Sequence, residues 1–316
     1  MKNVKIYGLV IALIASYGIR DVSAQQEQMY SHYDFNSLAI NPAYAGSKQT
    51  LVANSLARFQ WLNLPGAPRY YNVGVHSPVI GDFGAGLNLQ TGSIGKFKVA
   101  SPMTETQIAL SGAWNKQITK TMRLAVGLRL GLYNYNINLS QLERDDPTDI
   151  GFVNNDLNIN APMAGFGAYL YSEKFFVGLA APRMVFVPSN TVSNVDISYA
   201  ATTQFYAVAG YVHDINEDIK IKPTTQIKMA EGMPVQIDFN VHAIYQDDYS
   251  IGIFYRTGGE AGIMAMAKVA NDFAVVYSYD SRLAPLNQYV NGSHEFGIQY
   301  TIPYVSNKRV ITPRYF

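Results

Sequence analysis

The chain contains no cysteine. This absence excludes disulfide scaffolds, thiolate zinc sites, iron–sulfur clusters and cysteine nucleophiles together. Charge is scarce as well, because 15% of the 316 residues are charged, whereas a soluble domain usually carries about 25%. The formal net charge of +1 leaves no basic excess for phosphate contacts, so we expect no nucleic-acid partner. Tyrosine, in contrast, is abundant, with 23 residues.

The first residues carry the pattern of an export signal. Lys2 and Lys5 come before an apolar stretch, Ile6–Ile19. Val22-Ser23-Ala24 follows as a small-x-small cleavage site. A basic start, a short apolar run and such a site are typical of a secretory signal peptide, and the run is shorter than the roughly 20 apolar residues of a membrane-spanning helix. We therefore expect residues 1–24 to be cleaved and the protein to be exported.

Residues 49–302 repeat one pattern, in which apolar and polar side chains alternate. The clearest case is 235–242, where branched and aromatic side chains alternate with polar ones. Successive side chains of a β-strand point to opposite faces of the sheet, so each such stretch predicts a strand with one apolar and one polar face. The pattern predicts about fourteen strands, an even number as bacterial barrels require. Two of them are placed at 161–172 and 201–213.

Two features favour a transmembrane barrel over a soluble two-sheet protein. The predicted strands have roughly 9–14 residues, whereas globular strands usually have about five or six. Tyrosines gather near the predicted strand ends, as at Tyr133 and Tyr135 or at Tyr169 and Tyr171. Alternating segments bordered by aromatic girdles are typical of outer-membrane barrels. We therefore predict an all-β fold, a transmembrane antiparallel β-barrel of about 14 strands with an N-terminal plug segment.

The predicted barrel divides the chain into three parts. Residues 1–24 are the signal peptide, and residues 25–48, which have no strand pattern, form an N-terminal periplasmic plug segment. Residues 49–316 form the outer-membrane barrel with a short periplasmic C-terminal tail. A closed barrel leaves no unpaired sheet edge in lipid, and one of this size encloses more space than inward side chains alone would fill. We expect the plug to occupy that space and outer-membrane lipid to surround the wall.

A signature precedes the first predicted strand. Residues 35–47 read Phe-Asn-Ser-Leu-Ala-Ile-Asn-Pro-Ala-Tyr-Ala-Gly-Ser. This run resembles the N-terminal signature of the PorP/SprF family, outer-membrane proteins of the Bacteroidota type IX secretion system. Its signature positions are Asn36, Asn41, Pro42, Ala43, Tyr44 and Gly46. Further matches follow in the expected order, at Arg58-x-Gln60-Trp61, Gly66-Ala67-Pro68, His76-Ser77-Pro78, Gly84-Ala85-Gly86-Leu87 and Gly292-Ser293-His294-Glu295.

The resemblance implies a non-enzymatic role in protein secretion. Some members of the family are paired with one large secreted protein, such as a gliding adhesin, which they help to export or to hold at the cell surface. The implied partners are a large secreted protein with a type IX C-terminal domain and other components of the secretion system. Asn41-Pro42-Ala43 also resembles part of the hatch in FadL-type transporters. A transporter for a hydrophobic small molecule or a nutrient is therefore the alternative.

The sequence carries no signature of catalysis or of metal binding. Its five histidines lack metal-ligand spacing such as that of the HExxH motif. No GxSxG elbow supports an acyl-transfer serine. We therefore expect no enzyme activity, no cofactor and no metal.

The motif residues outside the plug are candidates for partner contacts or for a structural role in the barrel: Arg58, Trp61, Pro68, His76, His294 and Glu295. For Trp61, a protein-docking loop and an interfacial anchor are equally open. Five basic residues face the interior in the predicted register: Arg123, Arg129, Lys220, Lys222 and Lys228. They indicate either a lumen that attracts anions or ion pairing with the plug and neighbouring strands, and we favour ion pairing.

Overall fold

The computed structural model describes residues 30–95, 103–138, 156–187, 202–230, 233–283, 290–302 and 311–316. The one α-helix among these residues, α1, is Ser37–Ile40, and a 3-10 turn follows at Pro42–Tyr44. The strands are β1 (Leu51–Phe59), β2 (Arg69–Ile80), β3 (Phe83–Ile94), β4 (Met103–Gln117), β5 (Arg123–Ile137), β6 (Leu157–Tyr171), β7 (Phe175–Val185), β8 (Gln204–Tyr211), β9 (His213–Asp214), β10 (Ile219–Ala230), β11 (Gln236–Tyr245), β12 (Tyr249–Arg256), β13 (Glu260–Ala270), β14 (Phe273–Arg282) and β15 (Ser293–Ile302). The signal-peptide prediction lies outside the described residues.

The strands form one closed antiparallel sheet. Every strand except β8 pairs with the next along the chain, β1 pairs with β15, and β8 and β9 both pair with β10. The result is a barrel of 14 strands with one short additional strand, β9. The predicted antiparallel β-barrel of about 14 strands is therefore confirmed. The strand predicted at 201–213 is divided between β8 and β9, because the ladder to β10 is interrupted at Val212, whose side chain is fully buried.

The exterior of the barrel is apolar and the interior is polar. Leu128 and Leu130 are each 70% exposed, whereas Arg129 between them is 2% exposed. This inversion of the soluble pattern is required of a wall that faces lipid on the outside. No α-helix among the described residues is long and apolar enough to cross a membrane.

One part of the wall reverses this polarity. Beyond the apolar band of β5 and β6, Tyr133 and Tyr135 point inward and are 1% and 4% exposed. On the outside, Asn134 donates to the side-chain oxygens of Asn158 and Asn160, at 3.0 and 2.8 Å. An amide network on the exterior suits water rather than lipid, so this wall extends out of the membrane. Because the wall continues beyond the membrane, β6 begins at 157 rather than at the predicted 161.

The predicted aromatic girdle is therefore wrong for several of its tyrosines. Tyr133, Tyr135, Tyr169 and Tyr171 are buried inside the barrel, because residues two apart on a strand share a face and here that face points inward. Other tyrosines near strand ends do face outward: Tyr71, Tyr245 and Tyr249 are 41%, 50% and 53% exposed.

The two ends of the barrel differ in their connections. Short turns join β2 to β3, β4 to β5, β6 to β7, β9 to β10, β11 to β12 and β13 to β14. Most connections at the opposite end are longer, and the longest joins β5 to β6. In outer-membrane barrels the short turns lie on the periplasmic side and the long loops outside. We call these the short-turn end and the long-connection end.

Candidate functional site in the barrel lumen

Residues 30–48, here called the inner segment, lie inside the barrel. Ala43, Ala45 and Ser47 are completely buried, and the segment contacts inward-facing residues of strands all around the wall. This segment falls within the predicted plug, 25–48. That it blocks passage through the lumen stays a prediction.

The centre of the inner segment is a tight turn fixed by Asn41. The Asn41 side-chain oxygen accepts from the Ala43 N–H at 2.9 Å, and its Nδ2 donates to the Ala168 carbonyl of β6 at 3.0 Å. Proline suits the first position of a helical turn because it has no N–H to satisfy there, and Pro42 occupies it. The wall comes so close at β5 that a Cβ added to Gly127 would lie 2.4 Å from the Ala43 nitrogen. The Asn41-Pro42-Ala43 triplet thus packs closely against the barrel wall.

The next signature residues face β2 and the C-terminal residues. The Gly46 N–H donates to His76 Nδ1 at 3.2 Å, and Gly46 has a φ of +73°, which favours glycine. The ring of Tyr44 packs edge-on against His76 with centroids 5.2 Å apart. Its hydroxyl donates to the Phe316 backbone oxygen at 2.7 Å. The structure therefore brings His76 together with the signature residues Tyr44 and Gly46.

A buried charge cluster holds the beginning of the inner segment. Arg58 of β1 and Glu295 of β15 are paired in register, and both are 0% exposed. The two Glu295 oxygens accept from the backbone N–H groups of Ser31 and His32, each at 2.9 Å. Arg58 donates to the Ser31 hydroxyl and to Asp280, each at 3.0 Å. The candidate residues Arg58 and Glu295 thus hydrogen-bond to the inner segment from the inner face of the barrel wall.

Two basic residues of the wall bind the middle of the segment. Lys222 Nζ lies 2.5 Å from Asp34 Oδ2, with both side chains buried. Burial raises the pKa of the Asp34 carboxyl, but the positive charges around it, the Lys222 ammonium foremost, together hold that pKa well below its ordinary value. Arg129 donates to the carbonyls of Leu38 and Ala39. The favoured interpretation, ion pairing with the plug or neighbouring strands, therefore holds for Lys222, whereas Arg129 binds the segment by hydrogen bonds to its backbone.

The structure places three of the candidate residues away from the inner segment. Trp61 lies in the connection after β1, with its ring 5.0 Å from the Arg282 guanidinium. Pro68 ends the same connection, and its carbonyl accepts from the Gln60 N–H at 3.0 Å. His294 points outward, and its Nδ1 lies 2.8 Å from the Tyr277 hydroxyl. Their roles as partner contacts stay predictions.

Sequence reasoning missed several residues that hold the segment. Asn36 was in the predicted set, and its side-chain oxygen accepts from Asn54 Nδ2 at 3.3 Å. Asn54 also donates to the Phe35 carbonyl, and Asn115 donates to the Ala45 carbonyl, both at 3.0 Å. Both wall asparagines occupy polar, inward positions in the alternating pattern of their strands. This pattern is the one sequence signal for them, and it indicates the direction of a side chain but not its partner.

A second feature of the lumen lies between the inner segment and the long-connection end. This lumen pocket is lined from the wall by amide and charged side chains, many of them near the long-connection ends of their strands. The wall residues are Gln90, Glu105, Gln107, Arg129, Pro182, Arg183, Gln204, Tyr206, Gln226, Lys228 and Gln236. The lumen thus contains one region occupied by the chain itself and one polar region beside it.

The family model for "Type IX secretion system membrane protein PorP/SprF" matches residues 22–300 of the chain. No curated protein matches the chain. Among solved structures it is similar to the Acinetobacter baumannii outer membrane protein Omp33, with 10% identity, a TM-score of 0.45, and coverage of 81% of this chain and 100% of that one.

Two further solved structures are also similar to the chain. A Pseudomonas aeruginosa FadL homologue has 10% identity and a TM-score of 0.45, covering 82% of this chain and 93% of that one. The P. putida toluene transporter TodX has 8% identity and a TM-score of 0.48, covering 86% of this chain and 95% of that one.

Proposed function

The chain belongs to the PorP/SprF family of type IX secretion system membrane proteins, and we propose that it acts there as a receptor. In this proposal the barrel is fixed in the bacterial outer membrane and binds the C-terminal domain of one large secreted protein. It thereby helps to export that protein or to anchor it at the cell surface, as for a gliding adhesin. The role is non-enzymatic, and other components of the secretion system are further partners.

The observation that carries the proposal is the fixation of the inner segment in the lumen. Side chains of β1, β2, β4, β5, β10 and β15 and a backbone carbonyl of β6 bind the segment. Removing it would break the buried ion pair between Asp34 and Lys222 and many hydrogen bonds at once, which is costly. A barrel filled in this way is suited to hold a partner rather than to conduct one.

The connection between β1 and β2 offers a surface for such a partner. Leu62 and Leu64 are 39% and 38% exposed at the long-connection end. The backbone beneath them is ordered by hydrogen bonds, since Leu62 N–H donates to the Gly292 carbonyl at 2.9 Å and Asn291 N–H donates back to Leu62 at 3.0 Å. A rigid loop that presents apolar side chains loses little entropy on binding. We therefore assign this loop as the first contact with the secreted protein.

Transport of a hydrophobic molecule, the alternative, has less support from the lumen. The lumen pocket is lined largely by amides and charges, whereas sites for hydrophobic ligands are predominantly apolar. We keep transport as the outcome that would replace the receptor proposal.

The proposal is tested by purifying the tagged protein from its native outer membrane in mild detergent and identifying what accompanies it. We expect one large secreted protein, and we expect it to be lost when its own C-terminal domain is deleted. The double variant Leu62→Ser and Leu64→Ser should recover it several-fold less well. The control is Ile215→Ser, which changes an exposed apolar residue in a short turn at the opposite end. Recovery of a bare barrel, or of one with lipid-like molecules only, would contradict the receptor proposal.

A further inference from the structure

The exterior of β3–β6 carries a polar face near the long-connection end. On β3 and β4, Gln90, Glu105 and Gln107 line the lumen pocket, so the residues beside them point outward, because successive side chains point to opposite faces. Strand pairing arranges these outward residues in two rows. The row nearer the apolar band is Thr91, Thr106, Asn134 and Asn160, and the row beyond it is Ser93, Thr104, Asn136 and Asn158. We call the two rows together the amide–hydroxyl face.

The face begins where the lipid-facing band ends. The adjacent row toward the short-turn end is apolar and exposed, and it consists of Val73, Leu89, Ile108, Leu132 and Pro162. Tyr71 is 41% exposed and pairs with Thr91, so it stands in the first polar row. Tyrosine is enriched at the membrane–water interface, where its ring lies at the level of the lipid head groups. The amide–hydroxyl face is therefore continuous with the lipid-facing wall and starts at the head groups.

The spacing of the strands gives the dimensions of the face. Neighbouring strands lie about 4.8 Å apart, and residues two apart on one strand lie about 7 Å apart. Four strands and two rows thus give a face about 14 Å wide and about 7 Å tall between residue positions. A lipid whose chains lie against Leu89, Ile108 and Leu132 must pass its head group across this face.

The chemistry of the face favours a neutral, hydroxyl-rich partner. All its side chains are amides and hydroxyls, whereas a surface that meets only water usually has charges at about 25–35% of its positions. The side chains also contact one another: the hydroxyl oxygens of Thr91 and Thr106 lie 3.0 Å apart, and Asn160 Nδ2 donates to Asn158 Oδ1 at 2.9 Å. Amides and hydroxyls can both donate and accept hydrogen bonds. The hydroxyl groups of a sugar do the same, so a saccharide matches an ordered array of this kind.

One cation stands at the edge of the face. Arg69 is exposed and pairs with Ser93 of the upper row. Phosphates and carboxylates are the groups that a guanidinium binds best. A neutral face bordered by one guanidinium therefore fits a saccharide that carries an acidic group better than it fits a bare lipid phosphate.

We propose that the amide–hydroxyl face binds the saccharide head group of lipopolysaccharide, the glycolipid of the outer leaflet of bacterial outer membranes. The long loops of such barrels lie outside the cell, so the face meets that leaflet. The acyl chains lie against the apolar row, the sugars of lipid A reach the lower polar row, and the core sugars hydrogen-bond to the upper row. Arg69 pairs with an acidic group of the same head group. This contact lies on the outer wall and does not depend on the receptor role.

The test measures lipid binding to the full-length purified barrel in detergent by titration in native mass spectrometry. The probes are rough lipopolysaccharide, which carries core sugars, and lipid A, which has the same acyl chains but lacks those sugars. We expect rough lipopolysaccharide to bind about tenfold more tightly, as one or two additional hydrogen bonds would give.

A matched pair of double variants assigns this preference to the face. Thr104→Val with Asn158→Ala removes one hydroxyl and one amide from the upper row, and rough lipopolysaccharide should then bind no more tightly than lipid A. Gln117→Ala with Thr121→Val removes the same two groups from exposed positions at the short-turn end and should keep the preference. All variants must run as folded barrels on unheated gels. Thr104→Val alone, which changes the shape of the side chain least, should reduce the preference several-fold.

Three results would overturn the proposal. The first is equal binding of rough lipopolysaccharide and lipid A to the unaltered barrel. The second is a preference that survives in Thr104→Val with Asn158→Ala, and if this variant also recovered less of the secreted protein, the face would bind that protein instead. The third is loss of the preference in the control variant. The lipid titration contains no secreted protein, so its failure leaves the co-purification result untouched, and the converse also holds.

Discussion

The inner segment and the lumen pocket use the same kind of residue in opposite ways. Around the segment, an inward amide of the wall meets a backbone partner, as Asn54 meets the Phe35 carbonyl and Asn115 meets the Ala45 carbonyl. In the pocket, Gln226 Nε2 and Gln107 Oε1 have no partner in the described part of the chain. Both sets occupy inward positions on strands. The position of a residue in the strand alternation therefore determines only that its polar side chain points inward. Whether that side chain has a structural role depends on whether the inner segment supplies a hydrogen-bond partner.

The largest expected effect is at the charge cluster. Glu295→Ala leaves Arg58 buried with Asp280 as its remaining carboxylate and removes the acceptors of the Ser31 and His32 N–H groups. Removing one partner of a buried ion pair usually costs about 3–5 kcal/mol. We expect a loss of this size in the free energy of unfolding, measured by urea denaturation in lipid vesicles.

The control for this loss is an ion pair in water. Lys268 and Asp248 are 40% and 52% exposed, and such pairs contribute about 0–1 kcal/mol. Lys268→Ala should therefore leave the unfolding midpoint almost unchanged. If Glu295→Ala cost no more than Lys268→Ala, the cluster would not hold the inner segment.

A smaller effect is expected where the wall touches the segment most closely. Gly127→Ala puts a methyl group 2.4 Å from the Ala43 nitrogen. Overpacking of this kind costs about 1–3 kcal/mol, and a displaced segment should become sensitive to protease in the folded barrel. Gly112→Ala is the control, because its Cβ would meet nothing within 4 Å. Equal protease resistance of the two variants would contradict a close fit between segment and wall.

Much of the barrel was predictable because alternation reports the face of each residue. It placed Arg129 and Lys222 inward and predicted nearly all the strands. It did not predict that Tyr133 and Tyr135 face the lumen, because aromatic residues suit both a lipid interface and a protein interior.

The arrangement of the site was less predictable than the barrel. The family motifs singled out Arg58 and Glu295, but nothing in the sequence indicates that β1 and β15 close the barrel in a register that pairs them. Asp34 and its partner Lys222 are 188 residues apart in the chain. Such contacts are decided by the path of the inner segment through the lumen, which no local pattern encodes.

A modest effect is expected at the short-turn end of the inner segment. Tyr44→Phe removes the hydroxyl that donates to the Phe316 backbone oxygen at 2.7 Å and keeps the ring packed against His76. One hydrogen bond contributes about 1 kcal/mol net, so the unfolding free energy should fall by about that amount. Tyr44→Ala should cost several times more, because it also removes the ring contacts. Equal losses for the two variants would place the whole effect in the hydrogen bond.

The smallest effect is expected in the lumen pocket, and its smallness is informative. Gln226→Met keeps the length of the side chain and removes a buried Nε2 donor that has no partner among the described residues. Replacing such a group by an apolar one is neutral or stabilising by up to about 1 kcal/mol. Asn115→Leu, which removes a donor bound to the Ala45 carbonyl, should instead destabilise the barrel. A clear loss of stability in Gln226→Met would mean that Gln226 is part of the structure, as Asn115 is. The unfolding free energies of the two variants therefore decide whether the pocket and the segment differ as the geometry indicates.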